Sequence, residues 1–294
     1  MDDRLFHTTI VILFPFGGPV HARTDIPIHY TKRKLPWDFR ATAQLLFLLS
    51  FFASGIHLNL SATDSGDAEE LQSLKSHWQN TPQIWDQIDD PCGAPWVGVT
   101  CTNSRITSLK LPSMSLAGNL RDRIGGLTEL RSFHFNRNQL SGFIPPVLFS
   151  SDMMLIHVRL NRNALSGEVP KNRNNLTNLK ELDLSNNSFY SSESSEWFST
   201  LPSLTTLVIE NGSLQGTLTP KVFSFPDIQQ VLLRNNAFNG TFDLDDSFSP
   251  QLQLVDLRNN QISAVTLSAD YKNKLILVGN PVCTGLPNVS FCQP

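Results

Sequence analysis

Basic side chains stand close together on two consecutive predicted strands of this chain. His134 lies on one strand, His157 and Arg159 lie on the next, and Arg137 and Arg162 follow the two strands. A guanidinium presents N–H donors in a fork that matches a carboxylate or sulfate in geometry and charge. These residues therefore predict a site for an acidic group of a peptide or glycan. The alternative is a solvated face whose charges serve solubility.

The outward-facing positions of later predicted strands supply the other candidates. Asp183 lies in the column of His134 and Arg159, while Arg234 and Arg258 share a second column. The early strands are basic and the later ones are mixed in charge, which favours the early strands for an acidic ligand. The complete predicted ligand-binding set is His134, Arg137, His157, Arg159, Arg162, Asp183, Arg234 and Arg258.

A metal site is not predicted. His134 and His157 could share an ion, but no third ligand is evident near them. Asp243, Asp245 and Asp246 crowd one loop without the glycine and terminal glutamate of a calcium loop. We expect no metal and no other cofactor.

Catalysis is not predicted either. The chain contains no Gly-rich phosphate loop, His-Arg-Asp or Asp-Phe-Gly of a kinase. A shallow open strand face neither excludes water nor orients a catalytic base. With 40% hydrophobic residues and a net charge of −3, the composition predicts a sizeable core and no general attraction to nucleic acid.

A repeating frame positions the candidate residues. The pattern L-x-x-L-x-L-x-x-N-x-L-x-G-x-I-P begins every 24 or 25 residues and predicts leucine-rich repeats, with a degenerate eighth block at Leu275, Leu277 and Asn280. The regular blocks begin at Ile106, Leu130, Leu155, Leu179, Leu204, Ile228 and Leu252. The predicted structural ladder of asparagines is Asn138, Asn163, Asn187, Asn236, Asn260 and Asn280.

Each position of the frame has a physical reason. Aliphatic residues such as Leu182 and Leu184 alternate with polar ones, as a strand with one buried face requires. The asparagine at the following turn can donate to and accept from backbone groups of neighbouring coils. Met114 and Gly212 stand where the frame expects asparagine, and Ser191 stands where it expects glycine.

The repeats resemble those of a known family. The segments Leu140-Ser-Gly-Phe-Ile-Pro145 and Leu165-Ser-Gly-Glu-Val-Pro170 have the Gly-x-(Ile/Leu/Val)-Pro ending of plant-type repeats. Together with Asp90-Pro-Cys-Gly-Ala-Pro-Trp-Val-Gly-Val-Thr-Cys101 and Asn280-Pro-Val-Cys283, residues 65–294 resemble the ectodomain of a plant leucine-rich-repeat receptor-like kinase. The similar branch includes the extracellular hydrogen-peroxide receptor, and the chain has fewer repeats than that branch usually carries.

The predicted fold is an α/β repeat, a right-handed solenoid of about eight repeats with a disulfide cap at each end. Stacking eight strands separates Cys92 and Cys101 from Cys283 and Cys292 by roughly 35–40 Å. A disulfide needs Cα atoms within about 7 Å. The expected bridges are therefore Cys92–Cys101 and Cys283–Cys292, and a shared zinc site is disfavoured for the same reason.

A helix is predicted to start the N-terminal cap, with Asp67 as its N-cap, Glu70 three residues later, and Leu71 and Leu74 on its buried face. Tryptophans of the cap are expected to pack in the core instead of stacking on carbohydrate. The predicted divisions are 1–40, a disordered leader extension; 41–62, the targeting segment; 63–105, the N-terminal cap; 106–280, the repeats; and 281–294, the C-terminal cap.

The targeting segment follows Arg40. Its apolar stretch and small residues predict a secretory signal cleaved between Ala53 and Ala62. The alternative is an uncleaved signal anchor, since residues 41–60 are nearly long enough to span a membrane. Six Asn-x-Ser/Thr sequons also favour an extracellular chain with glycans at Asn59, Asn175, Asn186, Asn211, Asn239 and Asn288.

The predicted function is an extracellular recognition module of a receptor-like kinase, not itself an enzyme. Its concave strand face would bind a peptide, a glycan or another leucine-rich-repeat receptor, with membrane contact only through a signal anchor or a missing C-terminal helix. The expected location is extracellular or at the plasma membrane. The alternatives are a secreted inhibitor of cell-wall-degrading enzymes, resembling polygalacturonase-inhibiting proteins, and a truncated decoy.

Overall fold

The computed structural model describes residues 62–293 except 94–95, 170–175, 194, 245–247, 269–270, 272–273 and 287. The described residues belong to one unit of the chain, His57–Pro294. Several predictions lie outside the described residues: the leader, all but Ala62 of the targeting segment, Pro170, the sequons at Asn59 and Asn175, and Asp245 and Asp246.

One sheet of nine strands, here called the long sheet, runs through every repeat. Its strands are β2 Val99–Thr102, β3 Arg105–Lys110, β5 Ser132–His134, β7 His157–Arg159, β9 Glu181–Asp183, β12 Thr206–Val208, β14 Gln230–Leu232, β16 Leu254–Asp256 and β18 Lys274–Ile276. From β3 to β18 neighbouring strands are parallel and follow the order of the repeats, while β2 pairs antiparallel with β3. The predicted solenoid is confirmed.

A second layer of strands follows the asparagine turns and is divided into two sheets. The first sheet contains β1 Trp78–Gln79, β4 Ala117–Asn119, β6 Gln139–Phe143, β8 Ala164–Gly167 and β10 Ser188–Phe189. The second sheet contains β11 Ser192–Glu193, β13 Leu214–Thr217, β15 Ala237–Leu244 and β17 Gln261–Leu267. The division falls within the fourth repeat, because β10 pairs backward with β8 and β11 pairs forward with β13.

Ser191 accounts for this division. Gly142 and Gly167 stand at the same repeat position with φ of 78° and 82°, the left-handed region that glycine enters easily. Ser191 is absent from the left-handed residues among those described. The chain therefore turns differently, and the β11–β13 pairing, Ser192 with Leu214, is one residue out of step with the pairing of the other repeats.

Helices occur in the return segments of some repeats and in the two caps. The α-helices are α1 Ser65–Lys75, α2 Ser195–Phe198 and α3 Val282–Gly285. The 3₁₀ helices are η1 Gln83–Asp86, η2 Asp122–Gly126, η3 Pro146–Phe149, η4 Pro220–Ser224 and η5 Ser290–Cys292. In three repeats, those containing η2, η3 and η4, the return segment is a strand followed by one 3₁₀ turn.

The aliphatic positions of the frame form one continuous core. Leu179, Leu182 and Leu184 of the fourth repeat each have 0% of their surface exposed. Burying each such side chain contributes roughly 1.5–3 kcal/mol. Because every coil repeats these positions, the core extends along the solenoid from α1 to β18.

The ladder asparagines bond to backbone groups of two coils. Asn163 accepts the N–H of Leu140 at 3.0 Å and donates to the carbonyls of Phe135 and Leu160, both at 2.9 Å. Asn187 bonds in the same way one coil later, to Leu165, Leu160 and Leu184. Neighbouring rungs therefore share carbonyl acceptors, so that buried turns keep their backbone groups bonded.

The predicted N-cap of α1 is wrong. The helix begins at Ser65, and the carboxylate of Asp64 caps it by accepting the N–H groups of Gly66 and Asp67. Asp67 is 1% exposed and instead accepts from Arg105 at 2.9 Å and from the N–H of Ile106 at 2.7 Å. Asp67 therefore joins α1 to the first long-sheet strand of the repeats.

Aromatic packing and the two disulfides close the ends of the core. Trp85 and Trp96 stack at 4.6 Å between centroids, and each indole N–H donates to a backbone carbonyl. The disulfides are Cys92–Cys101 and Cys283–Cys292, with Cα separations of 5.7 and 5.4 Å, the pairing that the strand spacing predicts.

Candidate functional site

Cross-strand ion pairs order the outward face of the long sheet. Arg159 on β7 donates to both carboxylate oxygens of Glu181 on β9, at 2.7 and 2.9 Å. Burial alone would raise the pKa of Glu181, but the hydrogen bonds from Arg159 bring it below its ordinary value. Arg159 and Glu181 therefore form an ion pair without net charge. The guanidinium of Arg159 is not free, as the sequence suggested it would be.

The two later arginine candidates are paired as well. Arg234 donates to Glu210 at 2.7 Å, and Arg258 donates to both oxygens of Asp256, the shortest contact being 2.6 Å. Asp256 is 4% exposed, so its pairing with Arg258 also satisfies a buried charge. Opposite charges in outward positions 22 to 24 residues apart, as with Arg159 and Glu181 or Glu210 and Arg234, were the sequence signal for these partners.

The two histidines lie side by side on β5 and β7. Their rings are 6.4 Å apart between centroids, and His157 Nδ1 lies 3.5 Å from Glu181. Burial, followed by the charges of Arg159 and Lys110, lowers the pKa of His134 to about 4. At ordinary extracellular pH, His134 is therefore neutral and offers a hydrogen bond, not a positive charge, to an acidic group.

Asp183 lies on β9 beside these groups. Burial raises the pKa of its carboxyl, and one of its oxygens accepts the N–H of Ser185 at 3.0 Å. No cation is paired with it among the residues that the structure describes. Among these same residues, no group of three or more His, Cys, Asp or Glu is placed to hold a metal ion.

Arg137 and Arg162 differ from the other arginine candidates. Both are exposed, and both have left-handed backbones with φ of 58°. Within the described part of the chain, neither guanidinium has a hydrogen-bond or ion-pair partner. Of the predicted arginines, these two are the ones free to meet a ligand.

An aliphatic patch in the C-terminal half of the long sheet was not among the predicted residues. Val208 on β12 and Leu232 on β14 are direct cross-strand neighbours, and Leu254 lies diagonally from Leu232. All three point outward and are only half-buried, although strand residues on a solvated face are usually polar. Their departure from the polar alternation was visible in the sequence and was the signal that could have found them.

Comparison with known proteins agrees with this architecture. The family model described as "Leucine Rich Repeat" matches residues 178–201. The structure of PEPR1–AtPEP1 matches 74% of this chain and 32% of its own with a TM-score of 0.62 at 24% identity. The fold is a leucine-rich-repeat solenoid. The structure of the Arabidopsis receptor kinase HAESA with the peptide hormone IDA and the co-receptor SERK1 matches 68% of this chain and 38% of its own, with a TM-score of 0.53 at 23% identity.

Sequence relatives of this leucine-rich-repeat chain are plant receptor-like kinases. A probable leucine-rich-repeat receptor-like protein kinase of Arabidopsis thaliana is 27% identical over 62% of this chain and 35% of its own length. The Arabidopsis protein STRUBBELIG-RECEPTOR FAMILY 3 is 30% identical over 48% of this chain and 18% of its own. The chain thus spans about a third or less of these relatives. In the described ranges, no helix is long and apolar enough to cross a membrane.

Proposed function

We propose that this chain is the extracellular recognition part of a receptor-like kinase and that the outward face of the long sheet binds its partner. Support comes from the relatives, which are receptor-like kinases, and from the solenoid neighbours, of which HAESA was solved with a peptide hormone and a co-receptor. The sequons and the two disulfides support a secreted location, since disulfides persist in oxidising compartments.

The observation that carries the proposal is that ion pairs hold the side chains of the outward face in fixed conformations. Arg159–Glu181 orders the strands just before the aliphatic patch, and Arg234–Glu210 orders the chain just after the patch strands β12 and β14. Binding normally costs roughly 0.5–1.5 kcal/mol for each flexible side chain that it immobilises. A face whose charges are already ordered and which includes an aliphatic patch is suited to a partner that has both apolar and polar groups.

A charge placed in the aliphatic patch tests the proposal. The secreted full chain would be assayed by surface plasmon resonance against a library of synthetic extracellular peptides and against co-receptor ectodomains. Leu232→Glu should weaken binding of any partner of this face by tenfold or more, because an unpaired charge would have to be desolvated (~1.4 kcal/mol or more).

The matched control is Gln261→Glu on β17, an exposed strand residue outside the long sheet. It introduces the same side chain, so the partner should bind this variant as it binds wild type. Partners that bind both variants and wild type equally would contradict the proposal. Inhibition of a pectin-degrading enzyme without peptide or co-receptor binding would favour the inhibitor alternative.

A further inference from the structure

A row of residues borders the long sheet, each immediately before the ladder position of its repeat. This rim row consists of Ser113, Arg137, Arg162, Asn186, Asn211, Asn235 and Asn259, all with φ between 51° and 58°. The backbone N–H of each donates to the next coil, as Arg137 does to Asn161 at 2.9 Å and Arg162 to Ser185 at 2.9 Å. The rim row is therefore a regular, backbone-bonded edge of the sheet.

Asparagine suits this edge and arginine does not. A left-handed backbone is uncommon for residues other than glycine, and asparagine tolerates it better than most. The asparagines of the rim row also bond to one another: Asn211 donates to Asn186 at 2.8 Å, and Asn259 donates to Asn235 at 2.7 Å. Arg137 and Arg162 have neither the conformational preference nor the amide pairing that stabilises the rest of the row.

The two arginines also repel each other. They occupy adjacent coils, one strand spacing of about 4.8 Å apart at the backbone. Both side chains are exposed, and neither has a carboxylate partner among the described residues, although Asp183 lies on the coil next to Arg162. Two like charges at unfavourable backbone positions, without a compensating contact, indicate a role outside folding.

The neighbouring side chains indicate what the two guanidiniums bind. Asn136 and Asn161 lie just before them, and the outward-facing residues of β5 and β7 are Ser132, His134, His157 and Arg159. These offer amides, a hydroxyl and ring nitrogens, while the guanidinium of Arg159 is already paired with Glu181. They include no aliphatic side chain against which an apolar peptide residue could pack. Carboxylates flanked by hydroxyl groups are the chemistry that fits.

We propose that Arg137 and Arg162 form a binding site for an acidic polysaccharide composed of uronic acid residues. Each guanidinium pairs with a carboxylate, and the amides of Asn136 and Asn161 bond to sugar hydroxyls. The site rests on the proposed function only in requiring an extracellular chain. It is separate from the aliphatic patch at Val208.

The experiment measures binding of a polygalacturonate oligomer to the secreted full chain by calorimetry. The test variant is Arg137→Asn with Arg162→Asn, which installs the residue that the rim row carries in later repeats and creates no sequon. Affinity should fall by roughly tenfold or more for each guanidinium removed, as expected for a charge-assisted hydrogen bond. The unfolding temperature should not fall, because asparagine suits the left-handed backbone.

A control variant separates specific pairing from general attraction. Arg121→Gln with Lys221→Gln removes two exposed charges from the return segments and should leave oligomer affinity within about twofold of wild type, since exposed charges beyond about 10 Å are screened. The fully methyl-esterified oligomer should not bind wild type, because its carboxylates are neutral.

Three results would overturn the site. These are unchanged oligomer binding in the double-asparagine variant, an equal loss in the charge control, or binding of a sulfated peptide in place of the oligomer. Leu232→Glu should leave oligomer binding intact, and the double-asparagine variant should leave binding at the aliphatic patch intact. Failure of the proposed function and failure of this site are therefore distinguishable.

Discussion

The side-chain oxygen of Asn236 accepts the backbone N–H of Gly212, one coil earlier, at 3.1 Å. Gly212 occupies a ladder position and has no amide of its own to offer. The same oxygen also accepts the N–H of Leu214 at 3.0 Å, while the Asn236 amide donates to the carbonyl of Ile209 at 2.7 Å. One asparagine thus serves the backbone of two rungs.

Asn138 does the same for the first repeat. It accepts the N–H groups of Met114 and Leu116, both at 3.0 Å, and donates to the carbonyl of Leu111 at 2.7 Å. Met114 and Gly212, which replace asparagine in the ladder, therefore have their backbone N–H groups bonded by the ladder asparagine of the next coil.

Asn236→Leu should destabilise the chain more than Asn163→Leu. Replacing Asn163 leaves the N–H of Leu140 unbonded, but the two carbonyls keep a neighbouring asparagine as donor. Replacing Asn236 leaves three groups without that amide, at Gly212, Leu214 and Ile209. At roughly 1–3 kcal/mol for each unsatisfied group, the difference should be several kcal/mol. Urea unfolding of both variants measures it, and equal losses would refute shared bonding.

Asp67→Ala should destabilise more than Asp64→Ala. Asp64 caps α1 at its exposed N-terminus, and loss of such a cap costs about 1 kcal/mol. Asp67 is buried and bonded to both Arg105 and the N–H of Ile106, so its loss should cost roughly 2–4 kcal/mol. The comparison uses the same chemical change three residues apart. A loss for Asp67→Ala no larger than that for Asp64→Ala, measured by thermal unfolding, would mean that the buried contacts of Asp67 with Arg105 and Ile106 contribute little.

The strand order was predictable because every coil must bury side chains at the same positions of the repeat. A residue such as Leu182 faces the core in each repeat, and the periodic return of that position is visible without a structure. The capping residue was less predictable, since Asp64 and Asp67 both lie near the start of α1 and both can accept N–H groups of a first turn. Burial of Asp67 depends on Arg105, which is distant in sequence.

The sequence predicted where the candidate side chains lie on the sheet, but it did not predict which of them form ion pairs. Columns of outward residues follow from the repeat, and they correctly bring His134, His157 and Arg159 together on adjacent strands. Whether an arginine is free depends on side-chain conformations in the neighbouring coil, as for Arg159 with Glu181. Opposite charges about one repeat apart mark candidate pairs, but the repeat alone does not decide which of them form.

The C-terminal disulfide should stabilise the chain measurably. Cys283–Cys292 holds η5 against the last long-sheet strand, where the N–H of Leu277 donates to the carbonyl of Phe291 at 2.7 Å. Cys283→Ser with Cys292→Ser should lower the free energy of unfolding by roughly 2.5–3 kcal/mol from loop closure. Urea denaturation without reductant measures this. The same double variant in reductant, compared with reduced wild type, should show almost no difference, and a persistent gap would mean that serine itself perturbs the cap.

Stability should fall in acid partly through His134. Its folded-state pKa of about 4 lies below the ordinary value of 6.5 because of burial, followed by the charges of Arg159 and Lys110, with His157 adding a smaller effect and Glu181 opposing. The unfolded chain therefore takes up a proton first, and stability present above about pH 6.5 is lost as the pH falls toward about 4. His134→Gln removes this titration. The difference in unfolding free energy between wild type and variant, measured by urea at about pH 7 and about pH 5, should shift against wild type at the lower pH. A difference independent of pH would mean that His134 titrates normally in the fold.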